Sequence, residues 1–178
     1  MIDYLIKIIL FLLPAAIANM APIVFKKVNF LNYPIDFNKK FLGKPLLGNH
    51  KTFRGFFFGI ICAIIVVYLQ AYFYEFIKDY SIVRYSEINI LFFGFLMGFG
   101  ALLGDSIKSF FKRRIKINPG KVWMPFDQID WIIGAYAFSL IYVKMDWIFF
   151  ISLLVFGFFG HLITNYVGYK IGLKKNKF

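Results

Sequence analysis

Twenty-five residues at the start of the chain, Met1 to Phe25, carry only three strongly polar side chains, Asp3, Lys7 and Asn19. A run of that length spans about 30 Å of hydrocarbon as a helix. Ala16-Ile17-Ala18 resembles a signal-peptide cleavage site, but Asp3 beside Lys7 spoils the positive leader such a peptide needs. Further apolar runs follow at Gly55–Phe76, at Ile88 to about Leu103, at Trp131–Val143 and at Trp147–Tyr169. The fourth is short, and its length predicts that the helix continues upstream through Asp130. Lys144-Met145-Asp146 then makes the turn of a helical hairpin. Hydrophobic residues are 60% of the chain and charged residues 17%, where about 25% charged is ordinary for a soluble domain. That excludes both a soluble globule and intrinsic disorder. The single Cys62 excludes an intrachain disulfide framework and a cysteine-based zinc site. The expected fold is all-α, one membrane-embedded domain over 1–178 with five transmembrane helices.

Charge orients this bundle. The chain has 21 Lys and Arg against 9 Asp and Glu, a net charge of +12. Seventeen of those 21 cations fall in loop 26–54, loop 104–130 and the tail. Lys7, Lys78, Arg84 and Lys144 are left for the opposite side. The positive-inside rule therefore makes both long loops and the C-terminus cytoplasmic, with the N-terminus outside a multi-pass cell-membrane protein. Nucleic-acid binding is not expected, because it wants a soluble basic surface. Glycines four apart (Gly94 and Gly98, Gly100 and Gly104, Gly168 and Gly172) predict close helix packing.

Ionisable groups near a bilayer mark function by default. Asp105, Asp127 and Asp130 lie at the mouths of the second basic loop, with Asp127 and Asp130 three apart and on one helix face. Carboxylates embedded among cations suit Mg²⁺, a hard ion that prefers oxygen. Nearby Lys and Arg would neutralise a polyphosphate, the division of labour in phosphoryl and nucleotidyl transfer. Ion pairing of Asp105 with Lys108, or of Asp127 and Asp130 with Arg113 or Arg114, would equally account for these acids. In the first loop, glycine backbone beside Lys51, Thr52 and Arg54 suits phosphate binding, although the spacing is not a Walker motif. Asn19 reads as an interhelical hydrogen-bonding group, and His161 and Asn165 share a face of the last span. Neither a His-Glu-x-x-His nor a Gly-x-Ser-x-Gly motif occurs.

Gly100-Ala101-Leu102-Leu103-Gly104-Asp105-Ser106-Ile107-Lys108, continuing through Lys112-Arg113-Arg114, Pro119-Gly120, Trp123 and Phe126-Asp127-Gln128-Ile129-Asp130, resembles the CDP-archaeol synthase family, a branch of the CDP-diglyceride synthase superfamily. Gly48-Asn49-His50-Lys51-Thr52-Phe53-Arg54-Gly55 is similar to that family's Gly-x-x-Lys-Thr-Trp-Arg-Gly, with Phe53 in place of Trp. Asn19 with Pro22, and His161 with Asn165, also resemble family positions. The resemblance implies a Mg²⁺-dependent cytidylyltransferase joining CTP to an unsaturated archaeal ether-lipid phosphate among the membrane lipids. It implies Asp105 and Asp127 as metal-associated carboxylates with Asp130 in support. Lys108, Lys112, Arg113 and Arg114 would lie beside the phosphates, with Lys51, Thr52 and Arg54 on the nucleotide side. A diacyl phosphatidate enzyme and a small transporter are the rival readings.

Overall fold

The computed structural model describes residues 2–118 and 121–172, so Met1, Pro119, Gly120 and three cations of the basic tail (Lys174, Lys175 and Lys177) lie outside the described residues. Six helices run in order: α1 (Ile2–Val24), α2 (Phe53–Tyr72), a single turn α3 (Tyr74–Ile77), α4 (Ile90–Arg114), α5 (Phe126–Ser139) and α6 (Trp147–Lys170). Four of them, α1, α2, α4 and α6, are long and apolar enough to cross a membrane. The first basic segment also holds a two-stranded hairpin, β1 (Lys40–Phe41) paired antiparallel with β2 (Lys44–Pro45), a small exception to an all-α class.

Two expectations are corrected. The fourth span does begin upstream of Trp131, at Phe126, but it ends at Ser139. Its 14 residues measure about 21 Å, less than a hydrocarbon core requires. The third span does not stop near Leu103 but continues to Arg114, so Lys108, Lys112, Arg113 and Arg114 sit on a helix rather than in a loop. Hydropathy falls at Asp105 because charges begin there. The helical hydrogen-bond ladder has no such requirement, and cations in the last turn favour the helix C-terminus.

Neighbouring helices alternate in direction. Gln70 near the end of α2 donates to the Leu10 carbonyl of α1 at 2.7 Å, while Gly55 at its start lies against Pro22. Gly94 and Gly98 of α4 face Ile64 and Ile60 of α2. Gly100 and Gly104 face Gly134 and Asp130 of α5, and Gly157 of α6 faces Ile132. Each pairing runs up one helix and down the next. Residues 25–52, the end of α4, the start of α5 and the end of α6 therefore share one end of the bundle. The other end is closed by 78–89, where buried Tyr85 donates to Gln70 Oε1 at 3.0 Å. Burial pushes the Tyr85 phenol well above its ordinary range. Asp146 caps α6 by accepting from Phe149 N at 2.7 Å, which makes the 144–146 turn.

Candidate active site

The glycine contacts between α4 and α5 set the site. A methyl built on Gly104 would lie 2.2 Å from the Asp130 carbonyl oxygen, and one on Gly134 would lie 2.0 Å from the Gly100 carbonyl oxygen. Only hydrogen at these positions lets the two backbones approach so closely. The contact carries Asp105, one residue beyond Gly104, up to the start of α5, which bears Asp127 in its first turn and Asp130 just after it.

Lys108 is the point on which these acids converge. Its ammonium is 3.0 Å from Asp105 Oδ1, 2.7 Å from Asp127 Oδ1 and 2.9 Å from Asp130 Oδ2. Lys51 reaches across from the first basic segment to pair with Asp105 Oδ2. Lys112 lies 2.9 Å from Asp127 Oδ2 and also donates to the Lys121 carbonyl. Asp127 further accepts from the Trp123 backbone N–H at 2.6 Å. Three carboxylates thus face three ammonium groups, matched in number. Such pairing is what makes charge at this depth tolerable. The expected pairs of Asp127 and Asp130 with Arg113 or Arg114 are replaced by Lys108 and Lys112.

This network forms one wall of a cavity of about 1190 Å³. Lys51, Asp105, Lys108, Lys112, Arg113 and Asp127 lie at its polar end. Leu5, Ile9, Leu13, Phe156, Phe159 and Ile163 line the rest, exposed apolar side chains of α1 and α6. Asn19, Thr52, Arg54, His161 and Asn165 are also on its walls, so the cavity gathers residues from five separate segments of sequence. Asp130 is not on the wall: its side chain is 6% exposed against 19% for Asp105, and it stands behind Lys108. Thr52 is the N-cap of α2, accepting from Gly55 N at 3.2 Å. Arg54 is buried and donates to the Val28 carbonyl at 2.7 Å.

Arg114 departs from expectation. It is absent from the cavity wall and clamps the hairpin, donating to the Phe41 and Pro45 carbonyls. Its guanidinium carbon stands 4.9 Å from the Phe110 ring centroid. One helical position separates it from Arg113, and that rotation of about 100° sends it to the other face.

Asp36 was not among the expected site residues, yet it shapes the first segment. Its Oδ2 accepts from the backbone N–H groups of Leu47 at 2.9 Å and Gly48 at 3.3 Å, and its Oδ1 from that of Asn38 at 3.0 Å. Gly48 adopts φ +103°, a conformation other residues strongly resist. Together they fix the stretch that delivers Lys51. The Asp-x-Asn spacing is an Asx-turn signal, the one sequence cue for this role.

The CarS-like model for CDP-archaeol synthase matches residues 1–178. The chain belongs to the CDP-archaeol synthase family. A CDP-archaeol synthase of Methanocaldococcus jannaschii is 35% identical over 166 residues, covering 92% of each chain. One from Methanococcus maripaludis is 38% identical over 173 residues, covering 96% of this chain and 95% of that relative. A solved structure of an intramembrane enzyme for archaeal membrane lipid biosynthesis superposes with a TM-score of 0.72 at 27% identity, covering 88% of this chain and 91% of that one. Membership of the family and the polar-to-apolar cavity point to the same chemistry.

Proposed function

We infer that the chain is a membrane cytidylyltransferase that transfers CMP from CTP to an archaeal ether-lipid phosphate, giving CDP-archaeol and diphosphate. Family membership supports the reaction. The observation that carries its placement is the cavity, whose cationic and carboxylate end adjoins a long apolar stretch between α1 and α6. A nucleotide and a lipid phosphate need those two environments side by side. In this reading the lipid is the unsaturated 2,3-bis-O-geranylgeranyl-sn-glycerol 1-phosphate, and the chain acts as a single membrane-embedded domain in the cell membrane. Its N-terminus is outside, and its C-terminus and CTP site are cytoplasmic.

A phosphate oxygen of the lipid attacks the α-phosphorus of CTP while the bond to the bridging oxygen breaks and diphosphate departs. Lys51, Lys112 and Arg113 on the wall stabilise charge on the transferring and leaving oxygens. Lys108 holds Asp105 and Asp127 in register on their separate helices. Asn19, Thr52, Arg54, His161 and Asn165 complete the enclosure around the two substrates.

The donor chemistry also fits Mg²⁺. Asp105 and Asp127 present hard oxygens to the cavity, and Mg²⁺ is commonly bound by one or two carboxylates together with substrate phosphates. Among the described residues no three acidic, His or Cys side chains form a complete cage. Asp105 and Asp127 would hold the ion, with Asp130 supporting them through Lys108. Bound there, it would draw charge from the phosphoryl oxygens and assist departure of diphosphate.

Purified protein in detergent, given labelled CTP, a divalent cation and either ether-lipid phosphate or diacyl phosphatidate, tests this reading. A labelled CDP-lipid from the ether substrate, with diphosphate released in equal amount, is expected. Absence of both products would refute it.

A further inference from the structure

Gln128 stands one residue after Asp127, in the first turn of α5, and lines the same cavity. It is 1% exposed. Its backbone is fully engaged: the N–H donates to the Pro125 carbonyl at 3.0 Å, and the carbonyl accepts from Trp131 Nε1 at 2.9 Å. Its side chain is not. Neither Nε2 nor Oε1 meets a hydrogen-bond partner among the described residues. A buried donor or acceptor left unmade costs about 1–3 kcal/mol, so a carboxamide with both ends unpaired needs an explanation.

We propose that the Gln128 carboxamide is the hydrogen-bonding contact for the cytosine edge of the nucleotide; this rests on the CTP-dependent reading above. Donors and acceptors must match at both ends of the amide. The phosphate and ether oxygens of the lipid accept hydrogen bonds and donate none when the phosphate is ionised, as do the ionised oxygens of the triphosphate. Either would satisfy Nε2 and leave Oε1 unpaired. The cytosine edge carries an amino donor at C4 beside the N3 acceptor, which answers both ends of a coplanar carboxamide. The Trp131 and His161 rings, packed edge to face with centroids 6.4 Å apart, line the cavity nearby. The carboxamide can turn over to suit a uracil edge, so Gln128 supplies affinity for a pyrimidine edge, and rejection of the uracil N3–H must come from a second group.

The test pairs a protein change with a ligand change. Binding of CTP, of its 2′-deoxy form and of the analogue bearing hydrogen in place of the 4-amino group is measured for the unaltered protein and for Gln128→Met. The substitution keeps length and removes the orphaned polar atoms, and thermal unfolding verifies that the fold survives. The unaltered protein should bind the analogue lacking the amino group about tenfold more weakly than CTP, one hydrogen bond's worth. Gln128→Met should bind CTP and that analogue equally, with KM for the lipid unchanged. Equal binding of the two nucleotides by the unaltered protein overturns the contact. So does discrimination that survives Gln128→Met, or a rise confined to the lipid KM. A loss in Gln128→Met that disappears with the 2′-deoxy nucleotide assigns the amide to the ribose and also overturns it. Failure of the unaltered protein to bind or turn over CTP at all would sink the enzyme reading, and this contact with it.

Discussion

Adding one methyl group at Gly104 or Gly134 should separate the two halves of the site. A Cβ on Gly104 would sit 2.2 Å from the Asp130 carbonyl oxygen, and one on Gly134 2.0 Å from that of Gly100, where contacts under 3.0 Å force a shift. The backbones must therefore part by about 0.8 Å and 1.0 Å, because the obstructing atoms are main-chain oxygens that cannot rotate aside. Overpacking of this kind costs about 1–3 kcal/mol. The larger effect should fall on turnover, since α4 carries Asp105 and Lys108 while α5 carries Asp127 and Asp130. Misplacing reacting groups by about 1 Å can cost on the order of a hundredfold in rate. Gly94→Ala separates the two effects. It meets Ile64 Cα at 2.7 Å, so it is overpacked too, but against α2 and about 16 Å along the helix from Asp105. The assay is kcat at saturating CTP and lipid, alongside thermal unfolding in the same detergent. All three variants should unfold at lower temperature, and only Gly104→Ala and Gly134→Ala should lose roughly a hundredfold in kcat. Folded Gly104→Ala and Gly134→Ala proteins with kcat within threefold of the unaltered enzyme would refute the reasoning, as would an equal loss in Gly94→Ala.

Asp105→Asn and Asp127→Asn should each lose roughly a hundredfold or more in divalent-dependent turnover, with Asp130→Asn, behind Lys108, nearer tenfold; titrating the cation in each variant checks the ranking. Lys51→Ala should raise KM for CTP more than KM for lipid, whereas Arg114→Ala should leave both KM values unchanged and loosen the 40–45 hairpin, read as faster proteolysis there. With Cys62 replaced, single cysteines at Asn38 and Asn118 should react with an impermeant reagent only from the cytoplasmic face and one at Ser81 only from the other. Labelling of 38 and 118 from opposite faces would dismantle the shared nucleotide site.

Much of this protein was readable without coordinates because hydrophobic burial and charge placement act locally along the chain. Apolar runs locate α1, α2 and α6, since a membrane helix must satisfy every backbone group within itself and face lipid. Segregated Lys and Arg collect 25–52 and the end of α4 at one end of the bundle, and a short motif carries the family. The acids at 105, 127 and 130 were visible as a set because intramembrane carboxylates are costly enough to stand out. The resemblance implied their roles, but not how each is placed. Whether Asp130 faces the cavity or hides behind Lys108, and whether Arg113 or Arg114 points inward, depends on helix rotation. Rotation is settled by which backbones can touch, here by Gly100, Gly104 and Gly134. The choice of Lys108 as the shared partner of three carboxylates, the capture of Gly48 by Asp36 and the unpaired amide of Gln128 are likewise products of assembly. The first two join residues up to 22 positions apart, the third depends on what a neighbouring helix fails to supply, and no local pattern names these partners.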